Sequence, residues 1–136
     1  MATKVFINLP VKNLDKSMDF FKNLGFSFNP QFTDDKAACM VVSDSIFVML
    51  LIESYFQTFT RKTVSDATKA TEVLIALDAN SRDEVKELVN KAKTLGATIY
   101  AEAQDHGWMY QHSFADLDGH QWELAYMDMS QLPGQE

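Results

Sequence analysis

The apolar positions change period along the chain. Lys4–Val11 (KVFINLPV) is rich in β-branched and aromatic residues and predicts a strand that ends near Pro10, since proline tells against central pairing. The next stretch, NLDKSMDFFKNLGF, switches to helical spacing, with Met18, Phe21 and Leu24 on one face, Asp15 as expected N-cap and Gly25 just past the end. The runs SFNPQF, AACMVV and IFVMLLI then predict three strands, separated by the turn-prone clusters TDDK and SDS. A break follows in Glu53–Thr71, which opens with an aromatic segment able to form a helical turn and becomes polar and threonine-rich. It reads as a connector, either a plain linker or a lid.

The pattern then starts again. TEVLIALDA predicts a strand, and SRDEVKELVNKAKTLGA predicts a helix capped by Ser81 and Glu84, with Val85, Leu88, Val89 and Ala92 on one face and Gly96 at its end. ATIYAEA, GWMYQHSFAD and HQWELAYMD predict three more strands. Val11–Ser17 aligns with Leu77–Asp83 at an offset of about 66 residues, and Leu24-Gly25 is echoed by Leu95-Gly96. One domain over 1–136 is therefore expected, with unit one at 4–52, a connector at 53–71 and unit two at 72–128. Each helix covers one face of its sheet, which leaves the other faces to line a shared concavity or to meet a neighbour.

Composition narrows the partners. The chain has 46% hydrophobic and 12% aromatic residues, enough for a substantial core, and its 19 acids against 12 bases give a net charge of -7. That balance disfavours nucleic acid and anionic membrane surfaces. No apolar run approaches the ~20 residues of a membrane span, and MATKVFINLP lacks the apolar core of a signal peptide, so a cytoplasmic location is expected. The one cysteine, Cys39, excludes an intrachain disulfide and reads as a buried thiol. Phosphate loops, nucleophile elbows and Cys-x-x-Cys pairs are absent from the sequence.

FINLPVKNLDKSMDFFKNLGF, TEVLIALDANSRDEVKELVNKAKTLGA and the closing FADLDGHQWEL together resemble the vicinal oxygen chelate superfamily, which contains glyoxalase I, bleomycin-resistance proteins and extradiol dioxygenases. The last motif is similar to the family's Asp-Pro-Asp-Gly-x-x-x-Glu-Leu, with Leu117 in place of proline. The resemblance implies an α+β, glyoxalase-like fold of two tandem βαβββ units, with a curled mixed sheet around a cavity, often in a homodimer. It also implies four inward metal ligands on the first and last strands of each unit. Carried over by position, these are Phe6, Met49, Glu72 and Glu123. Phenylalanine has no lone pair to donate and a thioether is a poor ligand for hard or borderline cations, so no metal or other cofactor is expected, a divalent metal being the runner-up.

Strand alternation groups the other candidates. With Glu123 facing the concavity, Gln121 shares its side while Trp122, Leu124 and Tyr126 turn to the helix. The same logic places Phe6, Asn8, Phe47, Met49, Leu51, Glu72 and Leu74 on concave faces. Such walls suit an amphipathic organic ligand bearing a hydroxyl, amide or amine. If Glu72 and Glu123 approach one another, one pKa rises and the pair can do acid–base work; otherwise both acids simply hydrogen-bond to polar neighbours. His106, Trp108, Tyr110 and His112 share a strand face, either as a ligand wall or as core or dimer surface, and His120 is expected to be exposed. Three functions are open at this point: binding of a small organic molecule in a metal-poor cavity, a divergent metal-dependent lyase or isomerase, and a dimer that sequesters a drug.

Overall fold

A computed structural model describes residues 1–132, so the last four residues of the expected 1–136 domain lie outside the described residues. The chain divides into two compact units at Ser65/Asp66, inside the segment 53–71. The first unit contains β1 (Val5–Val11), α1 (Leu14–Leu24), β2 (Ser27–Asn29), β3 (Ala37–Val41), β4 (Ile46–Ile52) and the short α2 (Glu53–Gln57). The second contains β5 (Leu74–Asp78), α3 (Arg82–Thr94), β6 (Gln104–Asp105), β7 (Met109–Ala115) and β8 (Gln121–Met127). Both are βαβββ units, and the strands form two separate four-stranded mixed sheets with the orders β1-β4-β3-β2 and β5-β8-β7-β6. In each, the first strand runs parallel to the last, and the last pairs antiparallel with the strand before it.

Helix–sheet packing builds each core. Phe20, Phe21 and Leu24 of α1 are buried, as are Leu9, Val11, Met40, Val48 and Leu50 on the strands of the same unit. At roughly 1.5–3 kcal/mol per large apolar side chain removed from water, this one face accounts for much of the unit's driving force. In unit two, Val85, Val89 and Ala92 of α3 are buried with Phe114, Trp122 and Leu124, and α3 lies against β7 and β8. Leu88, placed on that face by spacing, is only half-buried. Both tryptophans, Trp108 and Trp122, fall in unit two.

Several boundaries differ from those the sequence predicts, each for a local reason. β1 continues through Pro10 to Val11 because it is an edge strand, where a missing N–H goes unused. SFNPQF is strand only to Asn29: Pro30 starts a single tight helical turn, and the Asn29 side chain caps it by accepting from Gln31 N. ATIYAEA is not a strand, and Thr98 makes an isolated bridge to Ala115. The N-cap of α1 is Asn13 rather than Asp15. Asn13 is extended and accepts from Lys16 N at 3.0 Å, while Asp15 sits in the first turn, where its charge suits the helix dipole. Ser81 does cap α3, accepting from Glu84 N at 3.0 Å, and Glu84 accepts from Asn80 N.

The spacing between the two caps sets the internal repeat. Asn13 and Ser81 are 81 − 13 = 68 residues apart, two more than the offset read from the letters. The residue of β5 that corresponds to Phe6 of β1 is therefore Leu74, not Glu72.

Candidate functional site

On the second sheet, Glu123 stands between Ala76 of β5 and Ser113 of β7. Directly paired residues share a face, so Leu74, Gln111, Gln121 and Ala125 lie on its side, and Trp122, Leu124, Phe114 and Ile75 on the α3 side. Glu123 is half-buried, and its Oε2 accepts from Gln111 Nε2 at 2.8 Å. Gln111 is a partner the sequence reading did not select, because only the pairing of β7 with β8 shows which β7 face joins Glu123.

Glu72 is not brought beside Glu123. It is exposed in a bend before β5, four residues from the Ala76 that stands abreast of Glu123, up to about 13 Å at extended rise. Nor do Tyr110 and His112 share a wall with Glu123. They pair with Tyr126 and Leu124, which puts them on the opposite, helix-facing side. There the Tyr110 ring lies 5.5 Å from the Arg82 guanidinium and 5.4 Å from the Lys86 amine. The His112 Nε2 donates to the Ala101 carbonyl at 2.9 Å, which ties β7 to the segment that fails to become a strand. His106 is exposed in the turn after β6, within 3.3 Å of the Gln104 amide oxygen.

The turn that leads into β8 is tightly built. Asp116 Oδ1 accepts from the backbone N–H groups of Asp118 and His120, each at 3.0 Å, and its Oδ2 accepts from Trp122 Nε1 at 3.0 Å. Asp116 and His120 are both buried, so the imidazole expected to be exposed is instead packed beside the carboxylate. Burial pushes the Asp116 carboxyl above its usual range, against the opposing pull of His120, the indole N–H and the backbone donor. Gly119 adopts φ +89°, and a Cβ there would lie 2.7 Å from Thr68 N. No other residue fits without moving the backbone of 67–68.

The first sheet carries a hollow of its own. On the face away from α1, Phe6 pairs with Phe47, Asn8 with Met49, and Pro10 with Leu51. Phe6 and Phe47 stack at 4.8 Å and 12°. Further along, Asn8, Met49 and Leu51 form the floor of a cavity of about 380 Å³. Its walls come from segments without sequence periodicity. The turn after β2 supplies Phe32, Thr33 and Asp34, and the chain leaving β4 through α2 folds back to supply Tyr55 and Phe59. Those two rings sit four residues apart and meet edge to face at 5.1 Å. Thr33 fastens the turn by donating to the Asn29 carbonyl at 2.7 Å and accepting from Cys39 N at 3.1 Å. Cys39 itself is buried, which pushes its thiol pKa up.

Asp34 is held even more firmly. Its N–H donates to the Ala37 carbonyl at 2.8 Å, and its Oδ1 accepts from Lys36 N and Ala37 N at 2.8 and 3.0 Å. These two backbone donors hold its carboxyl below the usual aspartate range, with a smaller contribution from the Lys36 charge. The TDDK cluster announced a turn; nothing in the sequence pattern announced that the turn would face a cavity.

A divalent metal does not fit the corresponding strand positions. Phe6 is engaged with Phe47, Met49 offers a thioether, and the β5 position is Leu74, so Glu123 is the one carboxylate among them. Among the described residues no three His, Cys, Asp or Glu side chains gather as a metal-holding group.

Comparison with known proteins agrees with this architecture. Across solved structures, the chain is similar to hypothetical protein SA1046 from S. aureus, with 32% identity, coverage of 93% of this chain and 94% of that one, and a TM-score of 0.79. A glyoxalase/bleomycin resistance protein/dioxygenase family enzyme from Burkholderia phytofirmans PsJN shares the fold at 13% identity, 90% and 96% coverage and a TM-score of 0.74. The fosfomycin resistance protein FosX from Listeria monocytogenes does so at 22% identity, 93% and 91% coverage and a TM-score of 0.67. A search of the curated proteins finds no match. The family model for the Glyoxalase/Bleomycin resistance protein/Dioxygenase superfamily matches residues 5–124, and the chain belongs to that superfamily.

Proposed function

We propose that the protein binds a small amphipathic organic molecule, with the cavity of the first unit as its principal site. The supporting observation is that cavity: about 380 Å³, floored by Asn8, Met49 and Leu51 and walled by Phe32, Tyr55 and Phe59. Its size falls within the range of small-molecule sites, its lining sets Phe32, Met49, Leu51 and Phe59 among the polar Asn8, Gln31, Thr33 and Asp34, and members of the superfamily bind small molecules. Asn8, on the edge strand, supplies an amide able to donate and accept at one side of the floor. Leu74, Gln121 and Glu123, on the open face of the second sheet, are proposed as ligand contacts of that unit, with Glu123 as an orienting acid rather than half of a carboxylate pair.

A metal-dependent lyase or isomerase would need a donor set these strands do not supply. Carboxylate acid–base chemistry requires no such set, and Glu123, hydrogen-bonded to Gln111, is the residue we propose for it on a molecule bound at the second unit's own face. The test is direct. Isotope-labelled methionine methyls, with Met49 assigned through Met49→Leu, should show the Met49 signal moving when small aromatic alcohols and amines are added at millimolar concentration. A Met49 methyl that ignores every such compound would overturn the reading. Glu123→Gln, which preserves an amide partner for Gln111, tests the second face separately.

A further inference from the structure

Among the described residues that line the first unit's cavity, Asp34 bears the one formal charge. Two features make it more than a surface acid. Its Oδ1 is occupied by the N–H groups of Lys36 and Ala37, so the carboxylate is fixed in place before any ligand arrives and Oδ2 stays uncommitted. It also follows directly on Phe32 and Thr33, so carboxylate and aromatic ring are set on one short turn.

The aromatic side is exposed where it matters. Phe32 and Phe59 retain 63% and 68% of their accessible surface, although both line the cavity. Large apolar rings left in water around a concave site gain by covering, and their negative faces attract cations. Tyr55, half-buried and in edge contact with Phe59, steadies the second ring. No lysine, arginine or histidine lines the cavity among the described residues; Lys36, the neighbour on the same turn, is outside the lining.

We infer that the cavity selects organic cations: molecules with an aromatic or similarly flat apolar body and a single ammonium group, the body lying between Phe32 and Phe59 and the ammonium meeting Asp34. This rests on the cavity being the binding site and adds to it the charge of the ligand. A phosphate- or carboxylate-bearing molecule would meet Asp34 with like charge and no compensating cation in the lining. A neutral isostere would keep the ring contacts alone.

Three probes of one shape and different charge, naphthylmethylammonium, naphthylmethanol and naphthoate, separate these outcomes when titrated against the full chain at neutral pH, with the Met49 methyl signal as readout. The ammonium compound should bind about five- to tenfold more tightly than the alcohol, as an exposed ion pair together with ring–cation attraction permits, and naphthoate should bind most weakly. Asp34→Asn keeps the Oδ1 acceptor that holds the turn, so it should fold normally, and its ratio of ammonium to alcohol affinity should fall to about one. Equal binding of ammonium and alcohol by the unaltered protein, or a preference that survives Asp34→Asn, would overturn the inference while leaving the cavity as the site. A Met49 methyl unmoved by all three would overturn the site itself.

Discussion

Asp116 shows how much one side chain can organise. It receives three hydrogen bonds and anchors the turn into β8, so Asp116→Ala should strip the Trp122 indole and two backbone N–H groups of their acceptor. A loss of about 3 kcal/mol in a urea unfolding curve is expected. Its titration gives a second check. Because burial raises the folded pKa above the unfolded one, the native state binds this proton more tightly. The stabilising contribution is therefore fully present below the ordinary aspartate pKa and lost as pH rises through the folded value. An NMR titration of the Asp116 carboxyl should show a midpoint above the ordinary 3.8. A midpoint below it would mean that the three donors and His120 outweigh burial. Gly119→Ala should be as damaging by another route, because a positive φ and a Cβ driven into the backbone of Ala67 and Thr68 together cost about 2 kcal/mol or more.

Among the elements, the two long helices should respond to their caps. Asn13→Ala and Ser81→Ala each remove the side chain that satisfies a first-turn N–H, and each should lower stability by about 1 kcal/mol in thermal melts. The same caps explain what could be read from sequence. Helical spacing located α1 and α3, with Ser81 read correctly as a cap and Asp15 taken for Asn13, and alternation located β1, β4, β5 and β8 and the face on which Glu123 lies. Alternation has period two, however, so a slip of two residues leaves every face assignment intact. That is why Glu72 stood in for Leu74 without any conflict in the pattern. Tyr110 and His112 were harder still, because the alternation within β7 does not say which of its faces joins Glu123; the pairing with β8 does. The cavity walls were least legible. Phe32 ends a tight turn with Asp34 just beyond it, and Tyr55 sits in a five-residue helix with Phe59 just past its end; in such short segments side-chain direction follows backbone geometry and no periodicity records it.

For the whole molecule, association is the first question. Phe6 is 51% exposed on the outer strand of the first sheet, stacked on Phe47, and a second copy of the chain is the partner we propose for this apolar strip. Sedimentation at micromolar concentration should then show a species of about twice the 15.4 kDa chain mass, and Phe6→Ser should shift it toward the monomer. A single species at the chain mass in the unaltered protein would refute this. The distribution of tryptophan has a different consequence. Since Trp108 and Trp122 both belong to unit two, fluorescence in a denaturant titration watches one half of the chain, whereas far-ultraviolet circular dichroism sees the helices of both. The optical probes thus double as a test of cooperativity: superimposable curves mean that the two βαβββ halves melt as one, and separated curves would reveal a half-folded species in which the indoles and the first unit's helices report different fates.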